Sequence, residues 1–331
     1  MSDDYLFDRS GRPDPEVEKL EKLLAPLAHD APLDEMRMRR KKRPPWLVLG
    51  IAVAAAAAVI VYFALPSKPS ACGVGGDGFA FTGVGGSVSC EGAQLAHGVL
   101  PVGGRLDTGA NQAKLTIANI GSAELGKQTR VRLDRTDAQR HQLALDRGHL
   151  HAKVNAPPRL FAVTTKHTDV VDLGCEYTLD IDDSGAGSVC VFSGLVELAT
   201  KSGPTVVTPE GSCAAILAGQ RPSLPYARDA RPELVEAVRA YDRGEPTAIE
   251  HLLAIAQDRD AITLIALAAI HRSEPAGRAV LERLMELSPP PDAEISVDSA
   301  LVDDVAFGTW RNDILEIYYG MWGPRAGQKA P

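Results

Sequence analysis

His149 and His151 are the first residues of this chain that could do chemistry. They lie two apart in an alternating run, so they share one face of a strand and could begin a metal site. No third ligand stands at a readable spacing, and they read as surface histidines. Asp180-Ile-Asp-Asp-Ser-Gly185 opens like a calcium loop, yet its twelfth position is Val191 where a bidentate Glu belongs. A solvated hairpin turn explains it better. Gly73-Val-Gly-Gly-Asp-Gly78 has the glycines of a phosphate cradle but not the strand before it or the helix after it. Neither G-x-S-x-G nor H-E-x-x-H occurs, and Asp303-Asp304 reads as helix surface. The expectation is a chain that is not an enzyme and takes no cofactor or metal.

Cysteine is more informative. All five cysteines (Cys72, Cys90, Cys175, Cys190 and Cys213) lie in the C-terminal four-fifths of the chain, as expected of a part that matures in an oxidising compartment. No C-x-x-C occurs, so zinc ribbons and thioredoxin-like motifs are excluded. Cys175, Cys190 and Cys213 are the disulfide candidates. Cys175 shares parity with Tyr177, Leu179 and Ile181 and should face inward, whereas Cys190 is out of phase with Val189 and Val191. A Cys175–Cys190 bridge is therefore disfavoured without a bulge, and Cys213 is the better partner for one of them.

The elements that position these residues begin with a membrane segment. Trp46 to Leu65 are twenty residues without a charge, ten of them Leu, Ile, Val or Phe and seven Ala. At about 1.5 Å per residue they span roughly 30 Å, the thickness of a hydrocarbon core. Six cations, Arg37, Arg39, Arg40, Lys41, Lys42 and Arg43, precede the segment, and Lys68 alone follows closely. The positive-inside rule puts residues 1–45 in the cytoplasm and residues 66–331 outside. A cleaved signal peptide is disfavoured by the long N-terminal part, and a lipoprotein box ending at Cys72 lacks its leading aliphatic residue.

Five regions follow. Residues 1–45 are a cytoplasmic tail with one helix, started by Asp14 and Pro15, whose Val17, Leu20, Leu24 and Leu27 share a face. So short a tail cannot bury that stripe itself, which makes these four the expected partner-binding residues. Residues 46–65 are the span, and the Gly- and Ser-rich residues 66–97 read as a tether. Residues 98–228 alternate in short apolar runs separated by turns such as Asn119-Ile-Gly121 and Asp183-Ser-Gly185, which predicts an all-β domain: a sandwich, barrel or β-helical stack. Residues 229–331 change to a helical period and predict an all-α region, with a capping box at Thr247–Glu250 and Asp260 capping a central buried helix.

The β region resembles the FecR domain, the extracytoplasmic part of transmembrane regulators that control sigma factors. The resemblance is carried by Leu106-Asp-Thr-Gly109 before Ala113-Lys-Leu-Thr-Ile117, and by Leu145-Asp-Arg-Gly148 running into Val154. It continues in Phe161-Ala-Val-Thr-Thr165, in Val170-Val-Asp-Leu-Gly174-Cys-Glu-Tyr-Thr-Leu-Asp-Ile181 and in Val189-Cys-Val-Phe-Ser-Gly194-Leu-Val196-Glu-Leu198. Cys175 stands where the family usually has Thr, which allows a local disulfide.

The resemblance implies a multidomain protein of the bacterial inner membrane, with a periplasmic FecR-like β domain, a helical C-terminal region and a cytoplasmic tail for a sigma factor. The zinc-binding anti-sigma module has no counterpart, since the tail holds no cysteine and only His29. The alternative is an envelope scaffold or ligand-binding module tethered by the span, with an envelope protein as partner and no sigma-factor control. Asp and Glu (43) outnumber Lys and Arg (35), giving a net charge of −8, so nucleic acid is not an expected partner.

Overall fold

The computed structural model describes residue 19 and residues 72–73, 77–200 and 204–322, with side chains as far as 316. The span and the tail stripe Val17, Leu20, Leu24 and Leu27 lie outside the described residues. From residue 72 onward the described part holds seventeen strands, numbered β1 to β17 along the chain, followed by helices.

The strands form two sheets. The first runs β4 (His97–Pro101), β1 (Gly78–Val84), β6 (Gln112–Ile117), β7 (Gly121–Leu125) and the second half of β9 (His141–Val154). It continues through β12 (Glu176–Ile181), β13 (Gly187–Ser193), β16 (Ser212–Ile216) and β17 (Tyr226–Ala227). The second sheet runs β3 (Ala93–Leu95), β2 (Val88–Cys90), β5 (Arg105–Asp107), β8 (Arg130–Thr136) and the first half of β9. β10 (Phe161–Thr164), β11 (Asp169–Asp172), β14 (Leu195–Ala199) and β15 (Val206–Pro209) complete it. Every pairing is antiparallel except that of β9 with β10. Of the expected forms, the sandwich is the one adopted.

The chain passes repeatedly from one sheet to the other, and each sheet buries one face against the other. The inner faces carry the alternating residues of the sequence: Leu115 and Ile117, Leu143 and Leu145, Leu179 and Ile181, Val196 and Leu198, all in one apolar core.

The supposed tether needs correcting. Among its described residues, 66–97 contain β1, β2, β3 and the first residue of β4. Phe79 and Phe81 are buried in the sandwich core, and Cys72 is bridged to Cys90 on β2. Glycines at 73, 75, 76, 78, 83, 85 and 86 obscure an alternation that is nonetheless present.

After β17 come α1 (Pro232–Asp242), α2 (Ala248–Ile255), a single 3₁₀ turn, α3 (Ala261–His271), α4 (Pro275–Leu287), α5 (Val297–Val302) and α6 (Asp304–Trp322). α3 is the expected central helix, with Ile262, Leu264, Ile265 and Leu267 all buried. Trp310 fills the module's core and donates its indole N–H to the Ser288 carbonyl at 2.8 Å. Thr247 and Asp260 occupy helix starts, but neither side chain caps the helix that follows. Asp260 is buried and instead accepts the Gln257 N–H at 2.9 Å and Arg231 at 3.0 Å.

Candidate functional site

Several of the residues that carried the resemblance, among them Asp107, Thr108, Gly148, Asp172, Gly174 and Gly194, sit where the chain changes sheet. At one end of β5, Asp107 accepts the Gly109 N–H at 3.0 Å. The Thr108 hydroxyl donates to the Gly126 carbonyl at 2.8 Å and accepts the Thr129 N–H at 2.9 Å. The Thr129 hydroxyl accepts the His149 N–H at 3.0 Å, next to the point where β9 passes between sheets at Gly148. Gly148 has φ +99°, and a Cβ there would lie 2.4 Å from the Thr129 Cα. Only glycine fits.

An equivalent construction closes the other half. Asp172 accepts the Gly174 N–H at 2.7 Å. Gly194, with φ +76°, packs so closely that a Cβ would stand 2.4 Å from the Gly174 carbonyl oxygen. Glu210 receives the Gly194 N–H at 3.3 Å and donates its own N–H to the Gly194 carbonyl at 2.8 Å.

The two aspartates have opposite electrostatics. Burial works upward on Asp107, but the Arg130 side chain, the Gly109 N–H and Arg147 outweigh it and hold the carboxyl below its ordinary value. Burial of Asp172 prevails over its hydrogen bonds from Cys175 and Gly174, and its carboxyl is pushed up. Cys175 is corrected as a disulfide candidate: it is a free, buried thiol whose Sγ donates to Asp172 at 2.8 Å. Burial, and then the neighbouring Asp172, raise that thiol far above the usual range, so it is no nucleophile. Tyr177 lies in the same interior, its phenol raised by burial, and its hydroxyl has no hydrogen-bond partner.

The outward face of the first sheet carries the other two cysteines. Lys114, Glu124, His151, Thr178, Cys190, Cys213 and Tyr226 follow one another across the strands in direct register. Cys190 and Cys213 are thus opposite each other on β13 and β16, and they form a disulfide. His149 contacts Asp180 at 2.7 Å and His151 contacts Glu176 at 3.0 Å, so each histidine is held by a carboxylate. Asp182 accepts the Ser184 and Ala186 N–H groups, making the acidic run between β12 and β13 a hairpin turn. Among the described residues, no three His, Cys, Asp or Glu side chains gather as metal ligands.

A further cluster joins sandwich to helices. The Arg221 guanidinium lies 4.4 Å above the Tyr241 ring, and the Tyr241 hydroxyl meets His271 Nε2 at 2.6 Å. His271 Nδ1 in turn meets Glu274 at 2.6 Å. Burial raises the Tyr241 phenol, and the three groups form a carboxylate–imidazole–phenol chain. Ser223 donates to Asp242 at 2.5 Å, and Thr263 on α3 donates to the Pro225 carbonyl at 2.8 Å. No spacing in the sequence links residues 221, 223, 241, 242 and 271, and sequence reasoning missed this cluster.

The class defined by this geometry is a two-sheet antiparallel sandwich whose chain crosses at glycine turns, followed by a helical module. Residues 104–197, from β5 into β14, match the FecR protein family. The comparison with curated proteins finds no match. Two similar crystal structures are of a candidate anti-sigma factor from Parabacteroides distasonis. One, at 1.65 Å resolution, is 18% identical with a TM-score of 0.32, covering 39% of this chain and 60% of that one. The other, at 2.50 Å, is 15% identical with a TM-score of 0.34, covering 45% of this chain and 73% of that one. This chain therefore spans about 60% of the first of them.

Proposed function

We propose that this chain is a non-catalytic transmembrane regulator of the FecR kind, receiving a signal outside the bacterial inner membrane and passing it to a cytoplasmic sigma factor. The sandwich and the helices stand in the periplasm, Trp46–Leu65 crosses the membrane, and Val17, Leu20, Leu24 and Leu27 hold the partner. The observation that carries this reading is the FecR match over residues 104–197. Two disulfides, Cys72–Cys90 and Cys190–Cys213, support an oxidising compartment for that part. The cations at 37–43 support the cytoplasmic side for the tail.

The stripe's role rests on energetics. Each exposed Val or Leu forgoes about 1.5–3 kcal/mol of burial that a groove on a partner recovers. Glu16, Glu18 and Glu21 against Lys19 and Lys22 leave that helix with net charge −1, which does not attract it to anionic lipid.

Reporter fusions test the topology. Alkaline phosphatase fused after residue 70 is expected to be active and fused before residue 40 inactive, with a cytoplasm-restricted fluorescent protein giving the reverse. The opposite pattern would remove the reading.

A further inference from the structure

Between β15, an edge strand of the second sheet, and helices α3 and α6 lies a cavity of about 100 Å³. Its floor is aliphatic and almost wholly buried, formed by Val206, Ile262 and Ile265. Val207, Ala266, Ile270 and Leu315 are half-buried and keep part of their surface open to it. The gap has a local cause: Ala266 and Ala269 stand about one turn apart on α3, where larger side chains would fill it. Unfilled apolar space forfeits dispersion contacts, so an apolar ligand that occupies it is favoured. Pro204, Thr205 and Ala269 are exposed at the rim, which gives such a ligand a way in.

A single charge selects the ligand. Arg311 is exposed and is the only charged side chain lining the cavity among the described residues. From α1 onward Arg239, Arg243, Arg259, Arg272, Arg278 and Arg283 each pair with a carboxylate. Arg311 pairs with none among the described residues. An aliphatic cavity with one uncommitted guanidinium at its mouth suits an anion with an apolar tail. A cavity of about 150 Å³ holds benzene, so this one holds a tail of about four carbons.

We propose that this cavity binds a short-chain aliphatic carboxylate, its tail against Val207, Ile270 and Leu315 and its carboxylate on Arg311. Such a ligand touches β15, α3 and α6 together, so it stabilises the contact between sandwich and helices.

Methyl-labelled nuclear magnetic resonance of the full-length chain in lipid nanodiscs tests it, with empty nanodiscs correcting for uptake by lipid. The probes are acetate, pentanoate, octanoate and methyl pentanoate, which keeps the tail and loses the charge. Pentanoate is expected to shift the Val207 and Leu315 methyls saturably. Acetate, without the tail, is expected to bind about fiftyfold more weakly, at about fourfold per buried methylene. Octanoate should gain less than about fourfold over pentanoate, because its extra carbons lie outside the cavity. Methyl pentanoate should bind about tenfold more weakly than the acid, and binding equal to the acid would mark an esterified acyl chain instead. Arg311→Gln, at an exposed position, is expected to weaken pentanoate about tenfold and leave the ester unchanged. Ala266→Leu, which fills the cavity, should remove both. Absence of saturable shifts at these methyls, equal binding of acid and ester, or indifference to either substitution would overturn the proposal. Binding is read on the protein itself, so its failure leaves the regulator reading untouched.

Discussion

In the sandwich the chain turns between sheets at Gly109, Gly148, Gly174, Gly194 and Gly211, all with positive φ, and four non-glycine residues share that conformation. From α1 onward Gly244 is the only such residue among those described. The sandwich depends at Gly148 and Gly194 on turns where a Cβ would strike the backbone 2.4 Å away, whereas the helices are held by apolar faces that tolerate other side chains of suitable volume. The sandwich is also covalently closed by two disulfides, whereas the helical sequence contains no cysteine. The two regions should therefore fail in different ways.

The largest effect is expected in the helices. Trp310→Ala removes a fully buried side chain and is expected to cost about 3–5 kcal/mol. Urea unfolding followed by circular dichroism should show the helical signal lost first while the stapled sandwich persists. A single transition shared by both signals would merge the two regions into one cooperative unit.

Next is the pair Gly148→Ala and Gly244→Ala. Both positions have positive φ, but Gly148 meets the Thr129 backbone where Gly244 meets nothing within 4 Å. The first is expected to cost about 3–4 kcal/mol and the second about 1 kcal/mol. Equal costs would show that conformation alone, not the crossing, sets the glycine requirement. Opening Cys190–Cys213, which closes a separation of 23 residues, should cost about 3 kcal/mol as the Cys190→Ala/Cys213→Ala pair.

These crossings also mark how far the sequence could be read. Alternation at Leu115 and Ile117 or Leu179 and Ile181 announces strands, and the even period of 262–270 announces a buried helix. Parity placed Cys175 and Cys190 on opposite faces because side-chain direction alternates strictly along a strand. Sheet order was illegible, since β9 serves both sheets through one left-handed residue, Gly148, whose conformation no periodicity reveals. The strands at 78–97 were hidden because glycine carries no hydropathy signal. The Arg221–Asp242–Tyr241–His271 cluster was hidden because its members meet only in space.

Smaller effects separate the two Asp–Gly turns by pH. A carboxyl lowered on folding, as Asp107 is, contributes stability above its unfolded pKa that is lost as pH falls through the folded value. For Asp172 the sign reverses: the native state binds the proton more tightly, so stability declines as pH rises from the unfolded to the raised folded pKa. Asp107→Asn is expected to flatten the acid limb of a stability–pH profile, and Asp172→Asn the decline at higher pH. Identical changes would contradict the electrostatic difference. Smallest of all, Cys175→Thr keeps a donor for Asp172 and is expected to change stability by less than about 1 kcal/mol, whereas Cys175→Ala removes the side-chain donor to Asp172 Oδ2 and should cost more.

The regulator account is tested most directly by crosslinking the full-length chain in cells and identifying captured cytoplasmic proteins by mass spectrometry, comparing wild type with Leu20→Asp/Leu24→Asp. The account predicts a sigma factor recovered with the wild-type chain and lost with the double variant. No sigma factor captured, or the same one captured equally by both, would contradict it.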